Sequence, residues 1–188
     1  MGAKHPKIVR DFITFVRSEE AQPVVAASGF VDQAIGRIAF ARQGDRIASA
    51  VLAAGEDVEA LSAVQDMVGA LLGRDRLTLT FRFQDGSSDL DAQSASNVQR
   101  LADAINRGDF DQKTLYFVGF TDGVGPQDGN QRLSERRASS VRRAVSVRVE
   151  DAPVDLVSEG YGEVLPMACD DESWGRQVNR RVEVWIDR

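Results

Sequence analysis

The chain has 188 residues, 43% hydrophobic and 28% charged, with a formal net charge of −6. Such a composition belongs to a globular protein with a packed core, and the acidic balance speaks against nucleic acid as a partner, since phosphates call for a basic footprint. Cys169 is the only cysteine, so no internal disulfide can form, and no apolar run reaches the ~18 residues that a membrane-spanning helix needs.

Met1 to Pro6 lacks the hydrophobic segment of a signal peptide, and the abrupt start leads us to expect a piece of a longer secreted precursor. Residues 6–28 read as helical, through an apolar stripe of Ile8, Val9, Phe12, Ile13, Phe15 and Val16, with Ser18-Glu19-Glu20 as a fresh N-terminus and Ser28-Gly29 as a stop. Residues 31–55 give a mixed signal. Helical periodicity returns from Glu56 to Leu72, carried by Leu61, Val64, Met67, Val68, Leu71 and Leu72, with Gly73 as the residue that ends the helix. The period changes at 73–76, where we place a boundary between a helical segment, 1–75, and a second domain, 76–188.

Leu77, Leu79, Phe81 and Phe83 alternate with Thr78, Thr80 and Arg82, the pattern of a half-buried strand. Asp85-Gly86-Ser87-Ser88 is turn chemistry, and a helix is expected over 92–107. Residues 114–120 are apolar on both faces, as in a central strand. A glycine-rich loop leads to a long helix over 130–147, and two more strands follow at 153–159 and 180–187. The expected fold is α+β, with order βαβαββ: helices stacked on a mixed four-stranded sheet, preceded by a helical segment.

One residue breaks this patterning. Steps of four along the long helix pass through Leu133, Arg137, Val141 and Val145, so Arg137 projects from an apolar face. A guanidinium there keeps its charge and needs an anion. Asp122, at the end of the central strand, is the nearest candidate in the protein. Two readings stay open at this point: a buried Asp122–Arg137 ion pair that pins the loop, or two charges facing one cleft and gripping a zwitterion. In the second reading arginine forks a carboxylate and aspartate takes the ammonium. Gly119, Gly123 and Gly125 would allow backbone amides to approach the same ligand, and residues 85–88 would add donors to the rim.

Gly119-Phe120-Thr121-Asp122-Gly123, Asn130-Gln131-Arg132-Leu133-Ser134, Arg137-Ala138, Gly160-Tyr161-Gly162-Glu163 and Gly175-Arg176-Gln177-Val178-Asn179-Arg180-Arg181-Val182-Glu183 together resemble the OmpA-like peptidoglycan-binding domain, over residues 77–188. The resemblance implies non-covalent binding of peptidoglycan through the free end of a diaminopimelate side chain, clamped by Asp122 and Arg137. Thr121, Asn130, Leu133, Gly86 and Ser87 complete the implied ligand site. Arg176, Asn179 and Arg180 match a segment to which we assign structural support. Phe120 and Asp170 depart from the family's pattern, the latter adding a carboxylate that would repel the acids of a stem peptide. Residues 5–31 also resemble the closing helices of a phosphate-type periplasmic solute-binding protein, the alternative being an unrelated amphipathic extension.

No enzyme is expected. His5 is the sole histidine, which leaves no Ser-His-Asp, Cys-His or histidine-metal arrangement, and Asp170-Asp171-Glu172 is an acidic turn without an opposing carboxylate. No cofactor or metal is implied. The expected partner is peptidoglycan, the expected location the periplasm or cell envelope, and the apolar N-terminal helices suggest self-association. The rival reading is an interaction or scaffold module that keeps the fold without binding the wall.

Overall fold

The computed structural model describes residues 6–16, 18–30, 33–83 and 90–188. Contacts divide the chain into two compact units, Met1–Gly36 and Arg37–Arg188. The first contains helices α1 (Lys7–Val16) and α2 (Gln22–Ala27), joined by a short 3-10 turn at Glu19–Ala21. Gln22 holds this joint together: its Nε2 donates to the carbonyls of Val16 and Ser18, both at 2.9 Å, and its Oε1 accepts from Gln33 N at 2.6 Å. The α1 helix buries none of its residues within the chain, and Ile8, Phe12 and Phe15 are exposed.

The second unit begins with β1 (Arg37–Ile38), then α3 (Gly44–Ala54), α4 (Val58–Leu71), β2 (Arg74–Arg82), α5 (Ala92–Asn106), β3 (Thr114–Phe120), α6 (Gln127–Ser146), β4 (Asp155–Gly160), α7 (Ser173–Asn179) and β5 (Arg181–Asp187). Local chemistry starts and stops these elements. Asp57 caps α4 by accepting from Glu59 N at 2.9 Å and Ala60 N at 3.0 Å, and Asp91 caps α5 by accepting from Ser94 N at 2.7 Å. Gly73 takes a φ of +85° just beyond α4, as expected of a residue that ends a helix. No helix among the described residues is long and apolar enough to cross a membrane.

The sheet has five strands in the order β1-β2-β5-β3-β4, parallel only between β3 and β4. The four expected strands are therefore joined at the edge by a fifth, β1, whose two residues were too few to carry a period. The boundary expected at 73–76 is the start of β2, while the division between compact units falls after Gly36. The α3 and α4 helices pack with the sheet: Ala50, Val64, Met67 and Leu71 form one buried cluster with Val118, Phe120, Leu165 and Trp185. α5 and α6 lie on the other face, over Leu79, Phe81, Phe117, Val182 and Val184.

Covered on both sides and flanked by β2 and β3, β5 is buried from Arg181 to Ile186. Its charged residues are accommodated by pairing. Arg181 Nε donates to Glu183 Oε1 at 2.7 Å, Arg46 Nη2 reaches the same oxygen at 2.5 Å, and Trp185 Nε1 approaches Oε2 at 3.3 Å. Desolvation alone would raise the Glu183 pKa, but Arg181, Arg46 and Arg76 overcome it and hold the group at about 2.

Helix α6 approaches β3 and β4 closely because Gly119 and Gly160 lack side chains. A Cβ on Gly119 would collide with the Ser134 carbonyl, and one on Gly160 with the Ser134 hydroxyl and Glu135 backbone. Gly119→Ala is thus expected to destabilise the domain by ~1–3 kcal/mol or more, read by urea unfolding. Acid sensitivity gives a second check. The folded-state pKa of Glu183 lies below its ordinary value of 4.5, so its stabilisation is complete above about 4.5 and is lost as pH falls toward about 2. Stability measured across that window is expected to fall less steeply in Glu183→Gln than in the wild type.

Candidate functional site

β3 ends at Phe120 in the middle of the sheet and delivers Thr121 and Asp122 to the rim, where the chain turns through Gly123–Gly125 into α6. Thr121 N donates to Gly162 O at 2.8 Å, tying this rim to the loop after β4. Asp122 is buried at the turn. Its Oδ2 accepts from Arg180 Nη1 at 2.8 Å, and Arg180 stands just beyond the end of α7. A long contact of 3.4 Å from Val124 N to Asp122 Oδ1 closes the turn locally.

Arg137 projects from α6 and is 5% exposed, with its guanidinium 5.0 Å from the centre of the Phe83 ring. Its Nε and Nη1 have no hydrogen-bond partner among the described residues. Burial lowers its pKa, the neighbouring Arg180 lowers it further, and the attraction of Asp122 offsets these only in part. The ion pair to Asp122 is made by Arg180; among the described residues none joins Asp122 to Arg137. Two further buried donors, Thr121 Oγ1 and Asn130 Nδ2, have no hydrogen-bond partner among the described residues. Leu133, one turn before Arg137 on α6, is half-buried. The expected contributions of Gly86 and Ser87 fall in 84–89, outside the described residues.

The other expected residues hold the frame. Arg176 Nη1 donates to the carbonyls of Asp170 and Asp171. Asn179 accepts from Met167 N at 2.7 Å and Ala168 N at 3.1 Å, and donates to Ala168 O at 2.8 Å and to Asp170 Oδ1 at 2.7 Å. Asp170 Oδ2 accepts from Gly123 N at 2.6 Å. The Asp170 carboxylate is thereby spent on tying the 167–171 loop to the turn after Asp122, and the Gly123 amide expected for a ligand is already engaged. Gly119 serves close packing rather than ligand approach. Phe120 is fully buried and faces the Arg181 guanidinium at 4.4 Å.

A cavity of about 310 Å³ lies on the far side of the same turn, between α3, α4, Gly123, Gln131 and Tyr161–Val164; Asp122 and Arg137 do not line it. The partnership of Arg180 with Asp122 and the role of Asp170 were missed from the sequence. Both link residues some fifty positions apart, and no local pattern marks them.

The OmpA family model matches residues 82–180, more than half of the chain, and the chain belongs to that family. Outer membrane porin F of Pseudomonas fluorescens is 36% identical over 112 residues, covering 60% of this chain and 33% of the relative. The peptidoglycan-associated lipoprotein of Pseudomonas putida is 35% identical over 112 residues, covering 58% of this chain and 63% of the relative. The chain spans about a third of the porin F relative's length. The periplasmic domain of Helicobacter pylori MotB shares the fold, with a TM-score of 0.50 at 20% identity over 62% of this chain and 75% of that chain. The resemblance of residues 5–31 to a solute-binding protein finds no support among these relatives.

A buried cation with unmade hydrogen bonds costs stability. Arg137→Met, which keeps the length and removes the charge, is therefore expected to stabilise the unliganded domain by on the order of 1–3 kcal/mol, measured by denaturant unfolding.

Proposed function

We propose that this domain binds peptidoglycan without covalent chemistry and so holds the protein that carries it to the cell wall. The observation that carries the reading is the Arg137 guanidinium, buried within electrostatic reach of Asp122, with Nε and Nη1 unpartnered among the described residues. An arginine in that state is a receptor for a carboxylate, which it takes in a two-bond fork. Thr121 Oγ1 and Asn130 Nδ2, unpartnered among the described residues, are further donors along the same rim, and Leu133 supplies an apolar border. The similarity to a peptidoglycan-associated lipoprotein supports the wall as the source of that carboxylate. Relatives named as outer-membrane and peptidoglycan-associated proteins support a place in the periplasm or cell envelope.

The ligand group is the zwitterionic end of a diaminopimelate side chain. Its carboxylate lies against Arg137, and its ammonium shares the Asp122 carboxylate with Arg180. Arg180 then acts as a positioning residue that holds the Asp122 carboxylate in place. Arg176 and Asn179 hold the loop that frames the turn. The role proposed is one of binding: among the described residues the site offers a fixed cation and a paired carboxylate.

The Asp122–Arg180 ion pair favours a second reading, in which the charges serve the fold alone and the domain docks another protein. Co-sedimentation with purified sacculi separates the two. Wild type is expected to pellet with the wall, while Asp122→Ala and Arg137→Ala weaken binding by about tenfold or more, the equivalent of one charged hydrogen bond lost at ~1.5–3 kcal/mol. Free diaminopimelate is expected to displace the wild type better than lysine does. Undiminished binding by both folded variants would assign the fold to the second reading.

A further inference from the structure

On the face of the sheet opposite α6, three arginines surround one carboxylate. Glu183 accepts from Arg181 and Arg46 through Oε1 and faces Trp185 through Oε2. Arg76, on β2, lies within electrostatic reach of both Glu183 and Arg46. Three guanidinium groups against a single carboxylate leave a surplus of two positive charges. Arg181 is fully committed: Nε serves Glu183, Nη1 the Asn179 carbonyl at 3.2 Å and Nη2 the Leu165 carbonyl at 2.9 Å. The other two arginines are not. The Nε atoms of Arg46 and Arg76 are buried and have no hydrogen-bond partner among the described residues.

Arg76 and Arg46 are each half-buried, and two residues along β2 from Arg76, Thr78 is exposed. Arg46 also stands in the first turn of α3, whose end carries partial positive charge, and its Nη1 is steadied by Gln43 Oε1 at 2.6 Å. Unused buried donors and surplus positive charge coincide on two side chains that are only partly covered. A buried pair that merely fastened α3 to the sheet would need one arginine for Glu183, not three.

We propose that Arg46 and Arg76, with Glu183 as their shared inner counter-ion, form a second anion site that takes a compact oxyanion, phosphate or carboxylate, between α3 and the β2 face of the sheet. It is independent of the site around Arg137, which lies with α6 on the other face.

The test is the melting temperature of the whole chain in sodium phosphate or sodium acetate, against sodium chloride at matched ionic strength near neutral pH. An oxyanion at a hundredfold excess over its dissociation constant is expected to raise the melting temperature by about 5–10 °C. Calorimetric titration with inorganic phosphate is expected to show affinity at least about tenfold weaker in Arg76→Gln. Arg76→Lys, which keeps the charge and loses the fork, falls between, and covers the case in which Arg76→Gln does not fold. Arg137→Ala is expected to keep the shift, and Arg76→Gln to keep wild-type sacculus binding, so this site and the wall site stand or fall separately. Equal melting temperatures in all three salts overturn the proposal. So does a shift that survives in Arg76→Gln or that disappears in Arg137→Ala.

Discussion

A guanidinium does not give up its proton at ordinary pH, so an arginine among apolar neighbours leaves a fixed demand for negative charge. In this domain the demand of Arg137 goes unanswered by the described residues, because Asp122, the acid among them whose charge it feels, is taken by Arg180. The arrangement separates two duties that one ion pair would have merged. Arg180 holds Asp122 in place, and Arg137 is left with Nε and Nη1 unpartnered among the described residues. A mutual pair between Asp122 and Arg137 would have to be broken before a ligand could enter; an unfilled cation needs only to be approached.

The backbone makes this separation durable. Gly119 and Gly160 bring α6 against β3 and β4 at a distance that no side chain would allow, and Ser134 fills the contact by accepting from Gly162 N at 3.0 Å and donating to Gln131 O at 2.7 Å. One turn further along the same helix stands Arg137. The turn after Asp122 is fastened from the other side by Asp170, itself held by Asn179. Both charges therefore rest on elements whose positions are set by close packing and hydrogen bonds elsewhere.

The sheet face away from α6 follows a different logic. There α3 and α4 cover β3 and β5, and Arg181 and Glu183 meet Arg46 beneath them. Without that cover these charges would face water and their pairing would contribute little. Under it, the Glu183 carboxyl is held near 2 and the arginines around it exceed what it can neutralise. The helical layer thus changes the chemistry of a strand whose own sequence alternates charge and valine.

Much of this was legible in the residues. The period of two through Leu77, Leu79 and Phe81, the doubly apolar run 114–120 and the steps of four through Leu133, Arg137 and Val141 locate β2, β3 and the inward face of α6, because burial on one face imposes the period of the element. The same reasoning singled out Arg137 as a buried cation. Partnership was not legible. Whether Asp122 answers Arg137 or Arg180, whether Glu183 faces water or Arg46, and whether 44–71 stand apart or close over the sheet depend on contacts between residues far apart in the chain. Periodicity reports which side of an element is buried but not what buries it, and only the folded arrangement decides that.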